Sequence, residues 1–209
     1  PGVWNEGFEK GPEHMLRDDA KWSWHRHAQS EHFFVFWAPQ FGPDPNSSDV
    51  PAALRVDIDD LLAKAEQFYQ TNIETLKMVE VGQGKSYLDD YKMQIYILYQ
   101  TEWLATGSGY DNTIGALWVN PSTCQPVGST IAHEIGHSFQ YQVSCDKIKQ
   151  GLANELFDGN GWSIGYDRGF RYGYAEGGAG GNGFWEQCAQ WQSFQDYPAE
   201  AYAASNINV

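Results

Sequence analysis

Residues 127–142 read Val-Gly-Ser-Thr-Ile-Ala-His-Glu-Ile-Gly-His-Ser-Phe-Gln-Tyr-Gln, and within them His133-Glu134-Ile135-Gly136-His137 is a complete H-E-x-x-H. On a helix, residues four apart stack on one face, so His133 and His137 can offer two imidazole nitrogens to one cation. Glu134 lies about 100° round the helix from His133, where its carboxylate can reach a water beside the ion without being a ligand. Ser129 and Thr130 can cap the helix start, and Ile131, Ile135 and Phe139 form an apolar stripe beside the histidines. Gly136 is out of place, because glycine inside a helix costs about 1 kcal/mol against alanine. Close approach of another element, or of the metal, would explain it. Two nitrogen ligands, a third protein group, an open position and an adjacent base are what a hydrolytic zinc centre requires.

Several acids compete for the third position. The metzincin spacing H-E-x-x-H-x-x-G-x-x-H fails, since Gln140 stands where it wants glycine and Val143 where it wants histidine. Asp146 or Asp167 could serve an aspartate-type site, although their surroundings do not match its G-T-x-D pattern. Glu155 lies near the minimum spacing of a glutamate-type site. Glu186, beside Trp185 in an aromatic helical stretch, is preferred. A carboxylate amid Phe184, Trp185, Cys188, Ala189 and Trp191 would be costly to bury unpaired, and a cation removes that penalty. The competing view is a surface glutamate on the polar side of its helix.

The whole chain of 209 residues is of a length for one domain with its own core. A formal charge of −14 argues against nucleic acid and anionic membranes as partners. No apolar run reaches spanning length and no signal peptide is present, so an upstream segment is expected to lie outside this sequence. Nine Trp, twelve Tyr and eleven Phe exceed ordinary use; such a surplus serves a core, and equally a cleft that stacks sugars or grips peptides. Cys124 and Cys145 flank the histidine helix, so a bridge between them could clamp its ends; free thiols at Cys124, Cys145 and Cys188 satisfy the sequence as well.

Along the chain, residues 1–20 read as an extended polar arm, then Trp22-Ser-Trp24 and residues 32–37 as strands, the second apolar enough to be central. His25 and His27 would share one side of an extended segment. Residues 39–51 form a loop. Residues 57–78 form the clearest helix, with Ile58, Leu61, Leu62, Ala65, Phe68, Tyr69, Ile73 and Leu76 on one face. Residues 91–100 alternate as a strand with Met93, Ile95, Ile97 and Tyr99 on one side, residues 106–112 form a turn, and residues 114–120 a short strand. That last strand, through Gly115, Ala116, Leu117 and Trp118, is a candidate edge strand for pairing with an extended substrate. Residues 147–157 suggest a second short helix. The glycine-rich stretch 158–183 is too long and aromatic for a connector. It offers Asp158, Asn160 and Asp167 as a weak calcium set and Tyr166, Tyr172 and Tyr174 as hydrogen-bond donors to a developing oxyanion. A helix resumes over residues 184–195, and another could begin at residue 199.

The segments Gly-Ala-Leu-Trp-Val-Asn-Pro ending at Pro121, the Cys124 turn, residues 130–141 and Phe-Trp-Glu-Gln-Cys-Ala-Gln-Trp-Gln from Phe184 together resemble a family of secreted microbial zincin-like proteins of unknown function. The resemblance runs over residues 30–198. It implies a zincin-like α+β fold over residues 1–209, in which a small mixed sheet, its edge strand along the cleft, packs on an active-site helix and further helices. It also implies gluzincin-type ligands His133, His137 and Glu186 for one Zn²⁺, Glu134 as base, and a secreted or periplasmic location. Two departures stand beside it: the N-E-x-x-S-D pattern is missing at Glu186, and the chain stops at Val209 where such proteins normally continue. The leading expectation is a zinc-dependent endopeptidase. The alternatives are a hydrolase of glycan or glycoprotein linkages, with Glu134 and Glu186 as paired carboxylates, and a metal-containing binding module without catalysis. A polypeptide or glycan is accordingly the expected partner.

Overall fold

The computed structural model describes residues 15–110, 112–152 and 181–200, with the side chains of 181–184 excepted. Five strands form one mixed sheet: β1 His27–Gln29, β2 Phe33–Trp37, β3 Met93–Ile97, β4 Ala105–Tyr110 and β5 Ile114–Val119, in the order β1-β2-β3-β5-β4. The central strands β2, β3 and β5 run parallel, and β1 and β4 pair antiparallel at the two ends. Three long helices accompany them: α1 Ile58–Gln70, α2 Ser129–Lys149 and α3 Gly181–Asp196.

β2 is Phe-Phe-Val-Phe-Trp and buried throughout, as a strand covered on both faces must be. Its register puts Phe33, Val35, Met93, Ile95, Gly115, Leu117, Gly107 and Gly109 on one face of the sheet. α2 lies on that face. The other face carries an aromatic layer in which Tyr96 stacks on Phe36 at 5.8 Å and on Trp118 at 5.4 Å, with Trp22 tilted against it at 4.8 Å. Much of the aromatic surplus is therefore core. α1 opens on Asp57, whose side chain accepts from the Asp60 amide, and buries Leu61, Leu62, Ala65, Phe68 and Tyr69. It ends in a π-helical turn, Thr71–Thr75, that buries Asn72.

Several expectations change. Residues 105–110, expected as a turn from Thr106, are the strand β4. β5 is hydrogen-bonded to β3 on one side and β4 on the other, so Gly115, Ala116, Leu117 and Trp118 do not lie on an edge; among the described strands the two ends are β1 and, next to β5, β4. Trp22-Ser-Trp24 is not a strand, and residues 15–20 fold back onto the molecule, with Met15 and Ala20 fully buried. α2 starts after Gly128 with no side-chain cap, so Ser129 and Thr130 do not cap it, and it continues through Lys149 where a second helix was expected. All three cysteines are free, and burial pushes the Cys124 thiol up to about 12, so no bridge clamps α2. Residues 153–180, with Glu155, Asp158, Asn160, Tyr166, Asp167, Tyr172 and Tyr174, and residues 201–209 lie outside the described residues. No described helix is long and apolar enough to cross a membrane.

Candidate metal centre

α2 is the inner helix of the assembly, with buried residues on almost every side. On its sheet side three glycines remove what would otherwise hold it off. A Cβ on Gly107 would lie 2.0 Å from the Glu134 carbonyl oxygen and 2.7 Å from His137 Cβ. One on Gly109 would lie 2.3 Å from the Tyr141 ring, and one on Gly115 2.6 Å from the Ser138 carbonyl. Glycine in a strand marks such close backbone approach. The contact carries directed bonds: Gly107 N donates to Glu134 Oε2 at 2.5 Å, and Gly115 N donates to Gln142 Oε1 at 2.9 Å. β4 therefore fixes the carboxylate of Glu134 from the side opposite α3.

On the other side of α2, Gly136 meets α3. A Cβ there would sit 3.3 Å from Ala189 Cα and 3.2 Å from Gln192 Oε1. The helix-interior glycine thus answers to a neighbouring helix. Because α3 lies so close, Glu186 reaches back over the histidine pair. Its Oε2 is 3.0 Å from His133 Nε2 and 3.2 Å from His137 Nε2. His133, His137 and Glu186 form the one group of three or more His, Cys, Asp or Glu side chains with metal-ligand potential among the described residues, its donor atoms all within 4.8 Å of one another. His25 and His27 form no such group: His25 Nε2 faces the Leu16 carbonyl and His27 Nδ1 the Trp24 carbonyl.

Glu186 meets the histidines for a reason other than the one expected. Its side chain is 62 % exposed rather than buried among aromatics. The packing of α3 brings it there, without any need to satisfy a buried charge. His137 is only 5 % exposed and His133 15 %, so the trio is one buried and one half-buried ring under a carboxylate open to solvent. Asp146, a weighed alternative, is turned away: its carboxylate accepts from Gln142 Nε2 at 2.8 Å and the Tyr87 amide at 3.0 Å.

The donor set suits a divalent cation. Four ligands arranged tetrahedrally about 2.0–2.1 Å from zinc stand roughly 3.3 Å apart, close to the two separations that Glu186 makes. The outer nitrogen of each ring is engaged: His137 Nδ1 faces Gln140 Oε1 at 2.9 Å, and His133 Nδ1 faces Gln190 Oε1 at 3.2 Å. Such outer partners orient ring ligands and set their tautomer. Burial lifts the Glu134 carboxyl above its ordinary range, opposed by the neighbouring imidazoles and by the Gly107 amide. A carboxyl raised in this way holds a proton more readily, which suits an acid–base role. Sequence reasoning missed β4, Gly107, Gln140 and Gln190; alternating glycines at 107 and 109 were the available sign of the first two.

The chain belongs to DUF6055, a family of unknown function, which it matches over residues 8–209. No curated protein and no solved structure matches it.

Proposed function

We propose that this member of DUF6055 is a zinc-dependent hydrolase of zincin type, acting on peptide bonds. The observation that carries the reading is the convergence of His133 Nε2 and His137 Nε2 on one oxygen of Glu186, with the Glu134 carboxylate on the next helical position. His133, His137 and Glu186 would hold the ion. When bound, it supplies a Lewis acid that polarises a carbonyl and makes water more acidic.

The remaining work falls to the chain itself. Glu134 Oε2 is committed to the Gly107 amide, which leaves Oε1 to take a proton from the attacking water and return it to the leaving amine. The Gly107 contact also stops the carboxylate from rotating. β4, an antiparallel end strand beside α2, offers backbone groups to an extended substrate, as a peptide added to a sheet edge requires. That takes over the role first expected of residues 115–118. Tyr166, Tyr172 and Tyr174 remain candidates for an oxyanion donor.

Elemental analysis of the purified protein should find about one zinc per chain, and chelator should abolish hydrolysis of a casein-type substrate. Glu134→Gln should keep the metal and lose turnover. Polysaccharide cleavage in place of proteolysis would transfer the same centre to glycan linkages. A chain that binds no divalent ion would end the reading.

A further inference from the structure

The two glutamines that face the rings are each fixed in direction by a backbone carbonyl, a group that can only accept. Gln140 Nε2 donates to the Trp185 carbonyl at 3.1 Å and to Gln192 Oε1 at 3.2 Å. Gln192 is itself oriented from farther away. The Phe68 carbonyl accepts from Asn72 Nδ2 at 2.8 Å, so Asn72 turns Oδ1 toward Gln192 Nε2, which donates to it at 2.7 Å. Both anchors require Gln140 to present Oε1 to His137, and an oxygen there demands a proton on Nδ1. Asn72, Gln192, Gln140 and His137 are at most 4 % exposed. Reversing any amide would set acceptor against acceptor in a site closed to water, leaving buried polar groups unpaired.

A shorter chain does the same at His133. Ser193 Oγ donates its single proton to the Gln190 carbonyl at 2.7 Å and so accepts from Gln190 Nε2 at 3.2 Å. Gln190 Oε1 is left to face His133 Nδ1.

We propose that Gln140 and Gln190 are positioning residues that lock both rings in the Nδ1–H tautomer. With Nδ1 protonated on each ring, two Nε2 lone pairs and the Glu186 carboxylate point at one place, an arrangement that only a positive charge relieves. The lock at His137 extends through Gln192 and Asn72 to the end of α1, so the packing of three helices decides which nitrogen can bind. Gly136 belongs to the same device, since a Cβ there would crowd the Gln192 amide. The purpose of the lock rests on the metal-centre reading; the lock itself is a property of the metal-free protein.

Long-range ¹H–¹⁵N correlation spectra of the metal-free chain at pH 8 test it. Both rings should show a protonated Nδ1 and an unprotonated Nε2. Gln140→Met and Gln190→Met should each let the Nε2–H form appear at the facing ring and weaken Zn²⁺, titrated against a chromogenic chelator, about 10- to 100-fold. Gln190→Glu, which still accepts from Nδ1–H and can accept from the Ser193 hydroxyl where Gln190 donated to it, should keep the wild-type tautomer. A purely structural role would not separate the two substitutions at Gln190. Wild-type rings carrying Nε2–H would overturn the proposal. So would a folded Gln190→Met with unchanged tautomer and affinity, and because Gln190 is only half-buried that variant folds even where Gln140→Met does not. If the wild-type chain binds no Zn²⁺, the metal reading fails while the spectra still judge the lock.

Discussion

The two sides of α2 solve one problem by opposite means. Toward the sheet, the nearest strand residues carry no side chain: Gly107 and Gly115 let strand backbone touch helix backbone, Gly109 makes room for the Tyr141 ring, and the contact admits no added atom. Toward α3, side chains are present and polar: Gln140, Gln190 and Gln192 fill the gap with amides that bond to one another and to the histidine rings. The sheet side places Glu134 by contact. The α3 side places the ring nitrogens by hydrogen-bond direction. A close-packed backbone interface tolerates nothing, whereas an amide network tolerates some displacement but not loss of polarity.

That contrast predicts its largest effect at Gly107. Gly107→Ala puts a methyl 2.0 Å from a backbone oxygen that cannot move without α2. The expected loss is about 4 kcal/mol or more, at the extreme of single substitutions, read as loss of a cooperative thermal transition. A soluble variant of near-native Tm would show that β4 can lift off α2 and that the sheet side is no more tightly packed than the α3 side. On the α3 side, Glu186→Gln should do the reverse. An exposed side chain contributes little to folding, within about 0.5 kcal/mol, so the metal-free Tm should hold. Zinc affinity should fall by more than the roughly 100-fold reached by removing an outer partner. A large drop in metal-free Tm would mean that Glu186 is structural.

Much of this architecture is written locally in the chain. α1 shows a helical apolar face behind Asp57, β2 an unbroken apolar run, and α2 the paired histidines one turn apart. β4 could not be read the same way. Ala105-Thr-Gly-Ser-Gly-Tyr110 has no apolar alternation, because α2 backbone and the Tyr141 ring lie where side chains on Gly107 and Gly109 would otherwise stand. Strand order is also non-local: nothing within residues 114–119 says that β4 folds back to cover the outer side of β5. Glu186 was singled out by its neighbours in sequence, yet what places it is Gly136, fifty residues earlier, and the helix approach this glycine permits. The amide chain was invisible for the same reason. Glutamines at 140, 190 and 192 look like ordinary helix-surface residues until α2 and α3 are brought together.

Gly136→Ala sharpens the contrast at smaller amplitude. The substitution removes the penalty of about 1 kcal/mol for glycine in a helix, but its Cβ meets Ala189 Cα and Gln192 Oε1 at 3.2–3.3 Å. The neighbours must yield by a few tenths of an ångström. We expect the two effects to offset within about 1 kcal/mol in denaturant unfolding, with zinc binding weakened nearer the lower end of the roughly 10- to 100-fold range. A full gain in stability with unchanged affinity would mean that the spacing of α2 and α3 is not what Gly136 serves.

The smallest effect separates the two sides by pH. Asp146 ends the sheet-side polar row, accepting from Gln142 Nε2 and the Tyr87 amide, and burial raises its carboxyl above the ordinary aspartate range, with hydrogen bonds only partly opposing this. A raised carboxyl in the folded state means that the native protein holds this proton more tightly than the unfolded chain. Stability from that proton is fully present below the unfolded pKa and is lost as pH rises through the folded one. Asp146→Asn keeps an acceptor for both donors and has no proton to lose. Its Tm relative to wild type should therefore climb steadily from pH 4 to pH 7, by a few degrees at most, in parallel thermal melts without metal. A difference that stays flat across that range would place the charge of Asp146 in contact with water, and the sheet side of α2 would then be less closed than its three glycines require.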